Sequence, residues 1–107
     1  MSEQTTTPGP HQGREILAGG KPLDEAKAAI ILIHGRGASA YDIMELGLLL
    51  GGDQFALLAP QAANNTWYPF SFLAPLANNE PYLSSALGTV ADLVAQVEAA
   101  GIPASNI

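Results

Sequence analysis

An α/β fold with a mostly parallel sheet flanked by helices is predicted by three observations. Ala28–Ile33 and Phe55–Ala59 are short unbroken apolar runs, the pattern of strands covered on both faces. Two longer segments, Ser39–Leu50 and Leu83–Ala100, carry apolar residues at helical spacing. The resulting order is strand, helix, strand, loop, helix and the first step of a strand, which is how βαβ units are laid down.

Each element follows from local chemistry. Residues 1–12 are polar and bear Pro and Gly, and they are expected to form a flexible tail, with residues 13–107 belonging to one domain. Gly13–Ala18 suits a short edge strand, with Gly19-Gly20 and Lys21-Pro22 as turn signals. Leu23–Lys27 is a linker or the far arm of a hairpin. Ser39 is placed to cap the first helix, with Asp42 as a short substitute for the usual capping-box Glu and Gly51-Gly52 as the stop. Ile43, Leu46, Leu49 and Leu50 are expected to share that helix's buried face. Leu83, Leu87, Val90, Val94 and Val97 are expected to do so on the second helix, which Gly101 and Pro103 end. Asn106-Ile107 is expected to open a third strand. Residues 61–81 form a long loop rich in Asn, Pro and aromatics, a composition of functional loops in compact domains.

Composition narrows the function. The chain has 107 residues, enough for one domain or part of one, and its 48% hydrophobic content indicates a folded chain. It has no cysteine, which excludes disulfides and cysteine metal sites and fits the cytoplasm. The net charge is −6, and all four basic residues (Arg14, Lys21, Lys27, Arg36) lie within the first 36 positions. A nucleic-acid or anionic-membrane partner is disfavoured by that distribution. The first residues lack the basic and apolar regions of a secretory signal. No apolar run approaches the roughly 20 residues of a membrane span. With His11 and His34 as the only histidines, and His11 in the expected tail, no metal site is predicted.

The chemistry concentrates in the loop after the first buried strand, His34-Gly35-Arg36-Gly37. Acyl transfer builds negative charge on a former carbonyl oxygen, and backbone N–H groups aimed at that oxygen stabilise it. Glycines on both sides of one residue let the chain turn sharply and leave that residue's N–H unobstructed. In several hydrolases one such donor comes from an early strand–helix loop. By this reading Arg36 is the donor through its backbone N–H. His34 then supports the loop from beneath, because it precedes any nucleophile and so violates the Ser, Asp, His order of that fold. A βα turn whose glycines serve only geometry is the alternative. The segment Gly35-Arg36-Gly37-Ala38-Ser39-Ala40 also mimics a dinucleotide-binding fingerprint, but the second strand ends Leu58-Ala59-Pro60-Gln61 without the acidic residue a ribose needs. Ser39 has half of a nucleophile elbow and suits a helix cap better. The aromatics near Trp67 either cap the core or wall an acyl pocket.

In order and spacing, Ile31–Ala38, Leu58–Ala62, Thr66-Trp67-Tyr68 and Ala100–Ile107 together resemble the phospholipase/carboxylesterase family of α/β-hydrolases, which includes the acyl-protein thioesterases. The resemblance covers residues 28–107. It implies a partial α/β-hydrolase fold, truncated before the nucleophile elbow, with no cofactor. It implies that the Arg36 N–H, where many relatives carry Leu, belongs to an oxyanion hole supported by His34, Gly35 and Gly37. Trp67, Tyr68 and Phe70 would line the cleft for a small-molecule or lipid ester or thioester. In the family a Gly-Phe-Ser-Gln-Gly-type elbow follows almost immediately after the position of Ile107, and the Asp and His come later. None of these triad residues maps onto this chain, so the chain alone is expected to be inactive. Two other classes stay open: a dinucleotide-binding Rossmann-like module, and a non-catalytic α/β fragment. Through its unfinished sheet such a fragment would self-associate or pair with another chain or a C-terminal half.

Overall fold

The structure, a computed structural model, describes residues 9–107, so the expected tail over residues 1–8 lies outside the described residues. Three strands, β1 (Ile16–Gly20), β2 (Ala29–Ile31) and β3 (Ala56–Pro60), form one sheet in the order β1-β3-β2. Helices α1 (Ala40–Gly51) and α2 (Tyr82–Ala99) complete the main elements. The sheet is mixed: β2 pairs with β3 in parallel, as the β2–α1–β3 crossover requires, while β1 runs antiparallel to β3.

Strand β3 is the centre. All five of its residues are buried, and its two faces serve two cores. Leu57 and Ala59 meet Ala40 and Met44 of α1, whereas Ala56 and Leu58 meet Leu93 and Val97 of α2 together with Ala29 and Ile102. The alternation of side chains along a strand therefore builds a three-layer α/β/α arrangement. Strand β2 is shorter than the apolar run Ala28–Ile33 suggests and forms an edge of the sheet among the described residues. Ile30 is 37% and Ile33 44% exposed, so the expected cover on both faces is incomplete.

Helix α1 starts as expected. The Ser39 side chain accepts from the Asp42 N–H and the Asp42 carboxylate accepts from the Ser39 N–H, a reciprocal capping box. Its buried face is not the expected one. Ala40, Met44, Gly47 and Gly51 face the sheet, while Leu46, Leu49 and Leu50 are exposed and Ile43 is only half-buried. Close approach to the sheet selects small residues over bulky ones. A Cβ at Gly47 would lie 2.6 Å from Leu32 Cδ1, so any side chain there must displace the Leu32 side chain. Gly47→Leu is expected to cost about 1–3 kcal/mol through overpacking, read as a lower urea midpoint at unchanged m-value.

Helix α2 is likewise rotated from expectation. Ser85, Thr89, Leu93 and Val97 are its buried residues, whereas Leu87 is 65% exposed. Two of those four are polar because the first turns of α2 pack on residues 9–12. Gln12 Nε2 donates to the Ser85 carbonyl at 2.9 Å and to Thr89 Oγ1 at 3.3 Å. Residues 9–12 are thus part of the packed domain and not tail. After Gly101 the chain forms a 3₁₀ turn over Ala104–Asn106 where a strand was expected to begin. There the Asn106 side chain donates to the Lys27 carbonyl at 2.9 Å, beside the start of β2.

A further tie joins α1 to the entry of β1. The exposed Tyr41 hydroxyl donates to the Glu15 carboxylate, with both oxygens at 3.2 Å. That hydrogen bond, and then the carboxylate's negative charge, raise the phenol above its usual 10.0. The folded chain holds this proton more tightly than the unfolded chain. Any stabilisation is therefore fully present below the ordinary phenol range and is lost as the pH rises through the raised value. Ultraviolet titration should show one late-ionising tyrosine, which Glu15→Gln returns to the ordinary range.

Candidate functional site

The site is built where β2 and β3 end. The Leu32 N–H makes the last sheet bond, to the Leu58 carbonyl at 2.8 Å, and the chain then turns through His34–Gly37 toward α1. Within that turn the Ala38 N–H donates to the Gly35 carbonyl at 3.1 Å, and the Gly37 N–H to the Asn65 carbonyl at 2.8 Å. Gly37 has φ +80°, a left-handed conformation that side chains oppose. The N–H groups of Gly35 and Arg36 have no partner among the described residues.

The opposing segment is shaped to meet this turn. Asn64 and Asn65 both lie in the left-handed region, at φ 54° and 59°, which asparagine tolerates better than most residues. That geometry aims the Asn65 carbonyl at Gly37. Gln61 locks the junction: its Oε1 accepts from the Ala40 N–H at 2.8 Å, and its Nε2 donates to the Ala62 carbonyl at 2.9 Å and to Asn65 Oδ1 at 2.6 Å.

Two buried histidines lie beneath, each only 2% exposed. His34 Nε2 accepts from the Ala62 N–H at 3.1 Å, so its Nδ1–H donates to the Gly35 carbonyl at 2.9 Å. His11 Nδ1 accepts from the Ala63 N–H at 3.0 Å, so its Nε2–H donates to the Trp67 carbonyl at 2.6 Å. Both imidazoles are therefore neutral, each with its tautomer set by its partners. The Trp67 indole stands between them, with ring centroids 4.9 Å from His11 and 5.2 Å from His34. Its Nε1–H donates to the His34 carbonyl at 2.9 Å.

Ile33, His34, Gly35, Arg36, Trp67 and Tyr68 line a cleft of about 280 Å³. A second cleft of about 300 Å³, which Arg36 also borders, is lined by Arg36, Ala63, Asn64, Thr66, Pro69 and Tyr82. The Arg36 guanidinium fastens the aromatic loop to the turn. It donates to the carbonyls of Pro69 and Phe70, each at 3.2 Å, and lies 5.3 Å from the Tyr68 ring centroid.

The structure brings together His34, Gly35, Arg36, Trp67 and Tyr68, with Gly37 shaping the turn beside them. Phe70 is different: it lines neither of these two clefts and is 55% exposed. Its N–H is held by Asn79 Oδ1 at 2.7 Å, which fixes the loop and turns the ring outward. Sequence reasoning missed His11, Gln61, Asn65 and Asn79. The Asn64-Asn65 pair is the one local signal, since consecutive asparagines favour left-handed turns. Ser39 caps α1, and Ser84 Oγ donates to Glu80 Oε2 at 2.7 Å. Among the described residues no group of three or more His, Cys, Asp or Glu could hold a metal ion.

A solved structure described as a phospholipase/carboxylesterase from Dyadobacter fermentans is similar to this chain, with 46% identity and a TM-score of 0.86. The match covers 94% of this chain and 48% of that one, so this chain spans about half the length of that relative. No family model matches the chain, and no curated protein does.

Proposed function

This chain belongs to the phospholipase/carboxylesterase family of α/β-hydrolases, and we propose that it supplies the oxyanion loop and a pocket wall of a serine ester hydrolase. The observation that carries this reading is the pair of unpartnered N–H groups, Gly35 and Arg36, at a cleft walled by Trp67 and Tyr68. Donors held in place by their surroundings need no reorganisation as charge develops on a carbonyl oxygen. Here His34 holds the turn from below and the Gly37–Asn65 bond holds it from the side. The Arg36 N–H is the proposed donor, with Gly35 and Gly37 shaping its approach. The nucleophilic Ser and its His and Asp partners are proposed to come from outside these 107 residues. They would cleave a carboxylic ester or thioester through an acyl-enzyme. Carboxylesterase, lysophospholipase and thioesterase substrates all fit that chemistry.

Pairing with the nucleophile-bearing half is proposed to use the open edge of β2, beside which Asn106 lies. No described helix is long and apolar enough to cross a membrane. The cytoplasm is the proposed compartment, on the strength of a sequence without cysteine.

The test is p-nitrophenyl ester hydrolysis by two proteins: this chain, and this chain joined in frame to the second half of the Dyadobacter relative. The first is expected to show no burst and the second to turn over. In the joined protein, Arg36→Pro removes the N–H and is expected to lower kcat by about 10²–10³. Arg36→Leu keeps the N–H and should stay within a few-fold. Hydrolysis by the short chain, or equal kcat for the two Arg36 variants, would overturn the reading.

A further inference from the structure

On the ester-site reading above, we propose that His11 is a positioning residue for the clefts, holding Trp67 and the Ala63 amide through a neutral imidazole. His11 lines neither cleft, yet it touches three residues that do. It bonds the Ala63 N–H and the Trp67 carbonyl, and its ring meets Tyr82 edge-on, with centroids 6.0 Å apart at 67°. Its own N–H is anchored by Ser85 Oγ on α2 at 3.0 Å. The residue thereby fastens the wall of both clefts to a helix that carries no group of the proposed oxyanion loop.

Filling space would not require these bonds. A buried polar ring costs free energy unless its nitrogens are satisfied, and an apolar side chain could occupy the same volume without that cost. What imidazole adds is direction, with an acceptor toward Ala63 and a donor toward Trp67. The second histidine mirrors it across the indole, bonding the neighbouring Ala62 N–H. Trp67 is thus held by its ring, its indole N–H and its carbonyl, while the residue lines the cleft. Loss of His11 should free the carbonyl end and leave the indole hydrogen bond to the His34 carbonyl as the remaining polar tie.

Trp67 is the sole tryptophan, so its indole resonance reports the wall directly. Amide hydrogen exchange separates local release from general destabilisation. In His11→Phe, which keeps a ring and loses both polar ties, the Ala63 amide and the Trp67 indole N–H are expected to exchange about fivefold faster or more. The amides of β3 should keep their rates. His11→Asn, whose carbonyl can still accept from Ala63, should restore protection at Ala63 but not at Trp67. Unchanged exchange at both sites, or equal acceleration throughout β3, would overturn the proposal.

If His11→Phe does not fold, nitrogen-15 spectra of the unmodified chain decide. Protonation at Nε2 alone supports the proposal, and protonation at Nδ1 at neutral pH overturns it. Titration with glyceryl monobutyrate tests the site itself. It should move the Trp67 indole resonance in the unmodified chain and move it less in His11→Phe. No movement in the unmodified chain would overturn the ester-site reading, while exchange and tautomer still decide whether His11 holds Trp67.

Discussion

Leu57→Ala is expected to destabilise the chain by about 2–5 kcal/mol. Leu57 is fully buried as the second residue of β3, where it faces Ala40, Met44 and Gly47 of α1. Truncation removes the transfer free energy of the lost carbons and leaves a void. The void cannot collapse readily, because β3 is paired on both sides and α1 is pinned at its start by Ser39 and Gln61. Small domains hold about 5–15 kcal/mol in all, so this loss takes a large share. The measurement is a urea titration followed by circular dichroism, in which the midpoint falls at constant m-value. Leu49→Ala on the same protein is the control. Leu49 is 84% exposed, and its truncation should change stability by less than about 0.5 kcal/mol. Equal losses at the two positions would mean that the bulky face of α1, not the small one, packs on the sheet.

That contrast shows where the sequence was legible. The cap of α1 could be read because Ser39 and Asp42 act locally, through bonds three residues apart. Strand β3 could be read because a strand buried on both faces needs every residue apolar. The buried faces of both helices could not be read by following bulk. On α1 the residues beneath the sheet are Ala40, Met44, Gly47 and Gly51, three of them small, while Leu46, Leu49 and Leu50 are left outside. On α2 the buried stripe begins with Ser85 and Thr89, which answer to Gln12 more than 70 positions away. His11 is the extreme case. Its flanks, Pro10, Gln12 and Gly13, resemble a tail, and every partner of its ring lies more than 50 positions on. The sharp turn at His34–Gly37 was legible because the His-Gly-Arg-Gly pattern is local. Its supports at Gln61 and Asn65 were not, because they act across the fold.

His34→Ala is expected to cost about 2–4 kcal/mol, from one orphaned buried amide and the packing it shares with Trp67. The Ala62 N–H loses its acceptor, while the Gly35 carbonyl loses one of its two donors and keeps the Ala38 N–H. His34→Gln offers an acceptor of similar reach and should recover about half of the loss. The pair also separates two roles for this histidine in the protein joined to the second half of the Dyadobacter relative. A general base must present a free nitrogen to the proton it takes, and its removal typically costs about 10²–10⁴ in rate. His34 has no free nitrogen, since Nε2 is held by the Ala62 N–H and Nδ1 by the Gly35 carbonyl. As a support beneath the turn, its replacement by Gln should lower kcat only modestly, while His34→Ala should lower kcat and stability together. A rate loss for His34→Gln as large as that of a missing base, at near-normal stability, would overturn the supporting role. It would require the Ala62 bond to open during turnover, freeing Nε2 toward the cleft.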